Sequence, residues 1–152
     1  PGFKSTDSLC AITTLNFDIA VLEIYLPLIS GGRTHIVPRE ISMFGETLSL
    51  ELEKENISIL QATPATWKQL LSGKTKHNGI KALCGGEALS LELAQDLLRN
   101  FSELWNMYGP TETTVWSTCK KIELNEYDGS YIGYLLCSID KLSILVLMNK
   151  PE

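Results

Sequence analysis

Asn106-Met107-Tyr108-Gly109-Pro110-Thr111-Glu112-Thr113-Thr114 places a turn, an aromatic ring, hydroxyls and one carboxylate directly after the apolar pair Leu104-Trp105. Gly109-Pro110 sets a tight turn, so the polar groups that follow are displayed at a strand end and not buried within the strand. Ligands of open α/β sheets gather outside such ends. Thr111, Thr113 and Thr114 can donate hydrogen bonds to phosphate oxygens, and Glu112 offers a hard oxygen suited to magnesium. The plain structural alternative is a Gly-Pro turn that leads into a polar edge strand.

Outward from that stretch, strand and helix patterns alternate. The spacing predicts strands over Leu9–Thr14, Thr34–Val37, Ser58–Gln61, Ile80–Cys84, Leu104–Tyr108, Val115–Ile122 and Leu142–Leu147. A helix starts at Asp18, carries Val21, Leu22, Tyr25, Leu28 and Ile29, closes at Gly31-Gly32 and is kinked by Pro27. Further helices cover Gly45–Asn56, Ala65–Leu71 behind Pro64, and Leu91–Arg99 behind the cap Ser90, with Leu93, Leu97 and Leu98 as the buried stripe of the last. Lys74–Asn78 and Glu123–Ser130 read as surface loops, and the Glu51-Glu53-Glu55 series with Lys54 as a solvated helix face. This alternation predicts an α/β fold, a mainly parallel sheet flanked by helices, with no second domain in residues 1–152.

Composition narrows the function. The chain has 152 residues, 44% hydrophobic and 20% charged, enough to bury one real core. A net charge of -5 with scattered basic residues argues against nucleic acid as a partner. Cys10, Cys84, Cys119 and Cys137 stand far apart with no Cys-x-x-Cys, which argues against zinc and for a reducing, cytoplasmic setting. His35 and His77 read as structural or solvated. No apolar run reaches the ~18 residues of a membrane span. The chain begins with Pro1 rather than Met, and its reading is that of an internal piece of something longer.

Other predicted strand ends carry similar equipment: Phe17-Asp18 after the first, and Gly85-Gly86-Glu87 after the strand that ends at Cys84. Paired glycines let a ligand approach the backbone, although they also mark ordinary turns. The segments Asn16-Phe17-Asp18, Gln61-Ala62-Thr63-Pro64, Cys84-Gly85-Gly86-Glu87-Ala88-Leu89 and Asn106 to Thr114, in this order and spacing, resemble the adenylation (AMP-binding) domains of nonribosomal peptide synthetases, within the adenylate-forming superfamily. The likeness runs from about Leu9 to Lys121. Its most specific part is Tyr108-Gly109-Pro110-Thr111-Glu112.

The resemblance implies part of the large N-terminal subdomain of an enzyme that activates an amino acid with ATP and Mg2+, then loads it onto the phosphopantetheine of a partner peptidyl carrier domain. It implies nucleotide contacts at Gly85, Gly86, Glu87, Asn106, Tyr108, Gly109 and Thr111, with Tyr108 on the adenine face and Asn106 at its edge. Thr111 would contact the α-phosphate and act with Glu112 in catalysis, and Glu112 would hold the metal. Asp18 would bind the substrate's α-ammonium, with a plain helix cap as the competing reading. The rest of the substrate pocket would be Ile19, Leu22, Gln61, Leu83, Gly85, Met107, Val115 and Trp116. Bulk from Leu22, Met107 and Trp116 implies a small amino acid, glycine first and alanine second.

Some family features are not found between Pro1 and Glu152: the Ser/Thr/Gly-rich phosphate loop, the Asp that grips the ribose, and the catalytic Lys of the C-terminal subdomain. The segment alone is therefore expected to be inactive. Tyr131-Ile132-Gly133-Tyr134-Leu135-Leu136 stands where the family has a Pro-Ile-Gly-Arg-Pro-like run. Two alternatives stay open: an acyl-coenzyme A synthetase, which has no use for an acid at Asp18, and a non-catalytic remnant that binds only nucleotide or a partner.

Overall fold

Strands numbered along the chain as β1 (Ser8–Ala11), β2 (Arg33–Ile36), β3 (Ile59–Ala62), β4 (His77–Gly85), β5 (Phe101–Tyr108), β6 (Thr118–Lys121) and β7 (Tyr134–Leu135) form one sheet, in the order β2-β1-β3-β4-β5-β6-β7. This is a computed structural model, and it describes residues 1–73, 75–113, 115–123, 127, 129, 134 and 135. Every pairing from β2 to β5 is parallel, while β6 and β7 are added antiparallel. The helices are α1 (Ala20–Ser30), α2 (Arg39–Ser42), α3 (Gly45–Lys54), α4 (Pro64–Leu71) and α5 (Leu91–Asn100). Parallel neighbours require crossovers, and the helices supply them.

Strand alternation sorts the interior into two apolar layers. Leu9, Ile59, Leu83 and Met107 join Leu22 and Leu26 of α1 on one face. Cys10, Leu60, Ala82, Cys84 and Leu104 meet Leu52, Trp67 and Leu97 of α3, α4 and α5 on the other. Each fully buried Leu contributes roughly 1.5–3 kcal/mol. The chain passes from β1 to β2 on one side and then returns to β3 on the other. The crevice outside the β1 and β3 ends is thus the topological switch point where such sheets bind ligands.

Local chemistry sets the boundaries. Pro27 has no N–H for the Glu23 carbonyl, which instead accepts from the Thr34 hydroxyl at 3.2 Å. Gly31, at φ 72°, closes α1 in the left-handed conformation. Thr63 caps α4 with Pro64 in its first turn, and Ser90 caps α5 by accepting from Leu93 N at 3.3 Å.

Several expectations require correction. Asp18 makes no side-chain cap: the flank of α1 is Ile19, and Val21 N bonds Asp18 O at 3.0 Å, so carbonyls of the preceding turn serve the first helical donors. β1 stops at Ala11 because Thr13 turns to bond Glu23. α3 ends at Lys54, ahead of Asn56 in the left-handed region. The short α2 has no amphipathic signal to announce it. β4 starts at His77, inside the expected loop, because His77 is buried against Phe101 and bonds Ser49 at 3.0 Å. β6 starts only at Thr118, since Thr111–Thr113 form a 3₁₀ turn and Val115 has φ 63°. The α3 carboxylates are not all solvated: Glu51 meets His35 at 3.0 Å and Glu55 meets Arg33 at 3.2 Å, pinning α3 to β2. Leu142–Leu147 lies outside the described residues, as does most of Glu123–Ser130.

Burial pushes the thiols of Cys10 and Cys84 up to about 12, leaving almost no thiolate at neutral pH. Native alkylation at about pH 8 should leave both unmodified and denaturation should expose both, as read by peptide mass mapping.

Candidate active site

The carboxyl ends of β4 and β5 lie side by side, with Cys84 opposite Asn106 and Gly85 opposite Met107. The chain beyond β5 folds back tightly. Ser117 N bonds Tyr108 O at 2.8 Å, and a Cβ on Gly109 would lie 2.6 Å from Trp116 Cα, so the approach requires glycine. Val115 accepts a left-handed backbone to complete the reversal, a conformation that costs a β-branched residue about 1–3 kcal/mol.

Outside these ends is a cavity of about 410 Å³ lined by Gly86, Glu87, Asn106, Tyr108 and Gly109, with Leu89 and Tyr127 closing its side. The Tyr108 ring is 47% exposed and offers a face; Asn106 is buried. Gly86, at φ 85°, turns the backbone toward the cavity. Tyr127 donates to Leu89 O at 2.7 Å, which joins a residue beyond β6 to the cavity wall. Gly85 and Thr111 do not line this space. Thr111 and Glu112 stand exposed on the 3₁₀ turn beyond Pro110, where a carboxylate can meet a hydrated metal.

The residues expected around the amino acid occupy the α1 side. Ile19, Leu22, Leu83, Met107, Val115 and Trp116 belong to one apolar cluster. Trp116 is fully buried, and a Cβ on Gly85 would lie 2.6 Å from its Cζ3. The indole therefore takes the volume a side chain at position 85 would fill. Its Nε1 donates to Gln61 Oε1 at 2.8 Å. Gln61 Nε2 donates to Ile19 O at 2.9 Å and to Glu23 Oε1 at 3.0 Å. Thr13 completes the chain, its N donating to Glu23 Oε2 at 3.0 Å and its Oγ1 to Glu23 Oε1 at 2.5 Å. Burial raises the Glu23 carboxyl above its ordinary range, while the Thr13 and Gln61 donors pull it back. Asp18 sits part-buried in the turn leading to Ile19.

Sequence reading passed over Glu23, Thr13 and Tyr127. Glu23 did leave a signal, as the one charged residue in the otherwise apolar helix AVLEIYLPLIS.

The AMP-binding enzyme family profile matches residues 1–142. The chain belongs to that family. It is 43% identical over 118 residues to a dimodular nonribosomal peptide synthase of Bacillus subtilis (strain 168), covering 77% of this chain and 5% of that protein. It is 38% identical over 119 residues to the PKS-NRPS hybrid synthetase acdB of Aspergillus candidus, covering 75% of this chain and 5% of that one. Among solved structures, a four-domain nonribosomal peptide synthetase in its holo form, bound to AMP and glycine, matches with TM-score 0.80 and 47% identity over 87% of this chain and 10% of that one. The chain is thus AMP-binding, adenylation-domain sequence, and it spans 5% of the length of those two synthetases and 10% of the solved one. No described helix is long and apolar enough to cross a membrane.

The Gly85 contact gives a direct test. Gly85→Ala must displace the Trp116 indole or strain β4, and should cost about 1–3 kcal/mol, read as a lowered denaturation midpoint.

Proposed function

We propose that these residues form the substrate side and the adenine side of an adenylation domain that activates glycine first and alanine second. The observation that carries this reading is Trp116 seated on Gly85 and tied to Gln61. With the indole in that position, the space at the end of β4 suits a substrate with little or no side chain. The 47%-identical synthetase bound to AMP and glycine supports the same choice. Asp18, at the mouth of α1, is the acid for an α-ammonium; an acyl substrate would have no charge to offer it.

The cavity beside Tyr108 suits a purine: an aromatic face, the buried amide of Asn106 and the bare backbone of Gly86. ATP would supply the adenylyl group when bound, with pyrophosphate as the leaving group. Thr111 would donate to an α-phosphate oxygen, and Glu112 would hold Mg2+. A peptidyl carrier domain with its phosphopantetheine thiol and neighbouring synthetase domains are the partners this reading requires, in the cytoplasm. Residues 1–152 then belong to one partial domain, and the flanking segments supply the phosphate loop and the catalytic lysine.

In the complete synthetase polypeptide, amino-acid-dependent pyrophosphate exchange should be fastest with glycine, weaker with alanine and negligible with aromatic or charged amino acids. Strong preference for a large amino acid would sink the reading. Tyr108→Ala should raise the KM for ATP about tenfold or more, the worth of one stacked base, and leave the order of amino-acid preference unchanged.

A further inference from the structure

Gln61 has no donor left for a substrate. Both amide protons are committed, to Ile19 O and Glu23 Oε1, and its oxygen holds the Trp116 indole. A side-chain amide can point either way in a pocket, and only its partners decide which. Ile19 O and the Glu23 carboxylate both accept, so both require the Nε2 end. From the other direction, Trp116 Nε1 can only donate.

We infer that Glu23 is a positioning residue for substrate selection: its carboxylate fixes the orientation of Gln61, and Gln61 in turn holds Trp116 against Gly85. This inference rests on the proposed amino-acid pocket and adds a determinant that lies outside it. Glu23 is fully buried in α1, behind Gln61, and has no place beside the substrate. Around it are donors from two segments, the backbone amides of Ile12 and Thr13 and the Thr13 hydroxyl after β1, and the amide of Gln61 at the end of β3. A carboxylate satisfies all of them at once, because both its oxygens accept.

A carboxamide does not. In Glu23→Gln the amide oxygen stays on Thr13 N, whose proton has no alternative, and the NH2 group takes the place of Oε1. The Thr13 hydroxyl can rotate to accept. That NH2 meets Gln61 Nε2 donor to donor: Gln61 either flips, setting its oxygen on Ile19 O and its Nε2 on Trp116 Nε1, or draws back from position 23, and both loosen its hold on the indole. With its acceptor displaced, the Trp116 indole shifts off Gly85, and the space there opens by about a methyl group.

Amino-acid-dependent pyrophosphate exchange in the complete synthetase is the test, with glycine and alanine compared in wild type, Glu23→Gln, Trp116→Phe and the double variant. Glu23→Gln should lower the glycine-to-alanine ratio of kcat/KM about tenfold, the selectivity one methylene carries, while the KM for ATP stays unchanged. In the Trp116→Phe background, which has no indole donor, the same substitution should leave the ratio unmoved. Parallel losses with both amino acids, at constant ratio, overturn the inference, because a merely structural residue gives that result. Should Glu23→Gln fail to accumulate, Glu23→Asp carries the test with the same ratio, since it keeps the charge but withdraws it by one methylene. A wild-type enzyme preferring another amino acid overturns the glycine reading alone. Glu23 is then judged by the ratio between that amino acid and its next larger homologue.

Discussion

The Trp116 indole lying on Gly85 is the constraint around which the carboxyl edge of the sheet is organised. It requires glycine at position 85, since a Cβ there would fall 2.6 Å from the ring. It requires glycine at 109 as well, where the returning chain passes too close for any side chain. It requires an acceptor for Nε1, because an unsatisfied buried donor costs about 1–3 kcal/mol. Gln61 supplies that acceptor, and the cost of burying Glu23 is offset by its donors. Trp67, buried in the other layer, has no acceptor for its indole N–H among the described residues. Burial of tryptophan does not by itself enforce such a network in this protein; the network belongs to the α1 side of the sheet.

Much of the frame was legible because it rests on local rules. Short apolar runs marked the strands around Leu9, Leu60, Ala82 and Leu104, although the division of their side chains between two faces emerges only from the structure. Thr63-Pro64 and Ser90 marked helix starts through caps that need only neighbouring residues. The parallel order followed from crossover spacing, and the family followed from four short motifs. What was not legible depends on residues far apart in the chain. β4 gains His77 through Ser49 and Phe101, neither of them near it in sequence. The expected strand through Val115 gives way to a reversal because Trp116 must reach Gly85. Glu23 looked like an incidental charge on an apolar helix until Thr13 and Gln61 were placed around it.

The pleat of β5 keeps the two proposed ligands apart until they meet. Asn106 and Tyr108 line the cavity of about 410 Å³, and Met107 between them borders it too while joining Leu83 and Trp116 in the α1-side cluster. The end of β4 repeats the division without side chains. Gly85 lies beneath the indole, and Gly86, at φ 85°, borders the cavity. A carboxylate held on one side and an α-phosphate held on the other could therefore approach at this strand end, where a Cβ on Gly85 would run into the Trp116 indole and one on Gly86 would meet Thr63. On this reading the paired glycines do more than admit a nucleotide. Gly85 makes room for the residue that limits the amino acid, Gly86 makes room for the nucleotide, and their adjacency brings the two reacting groups to one strand end.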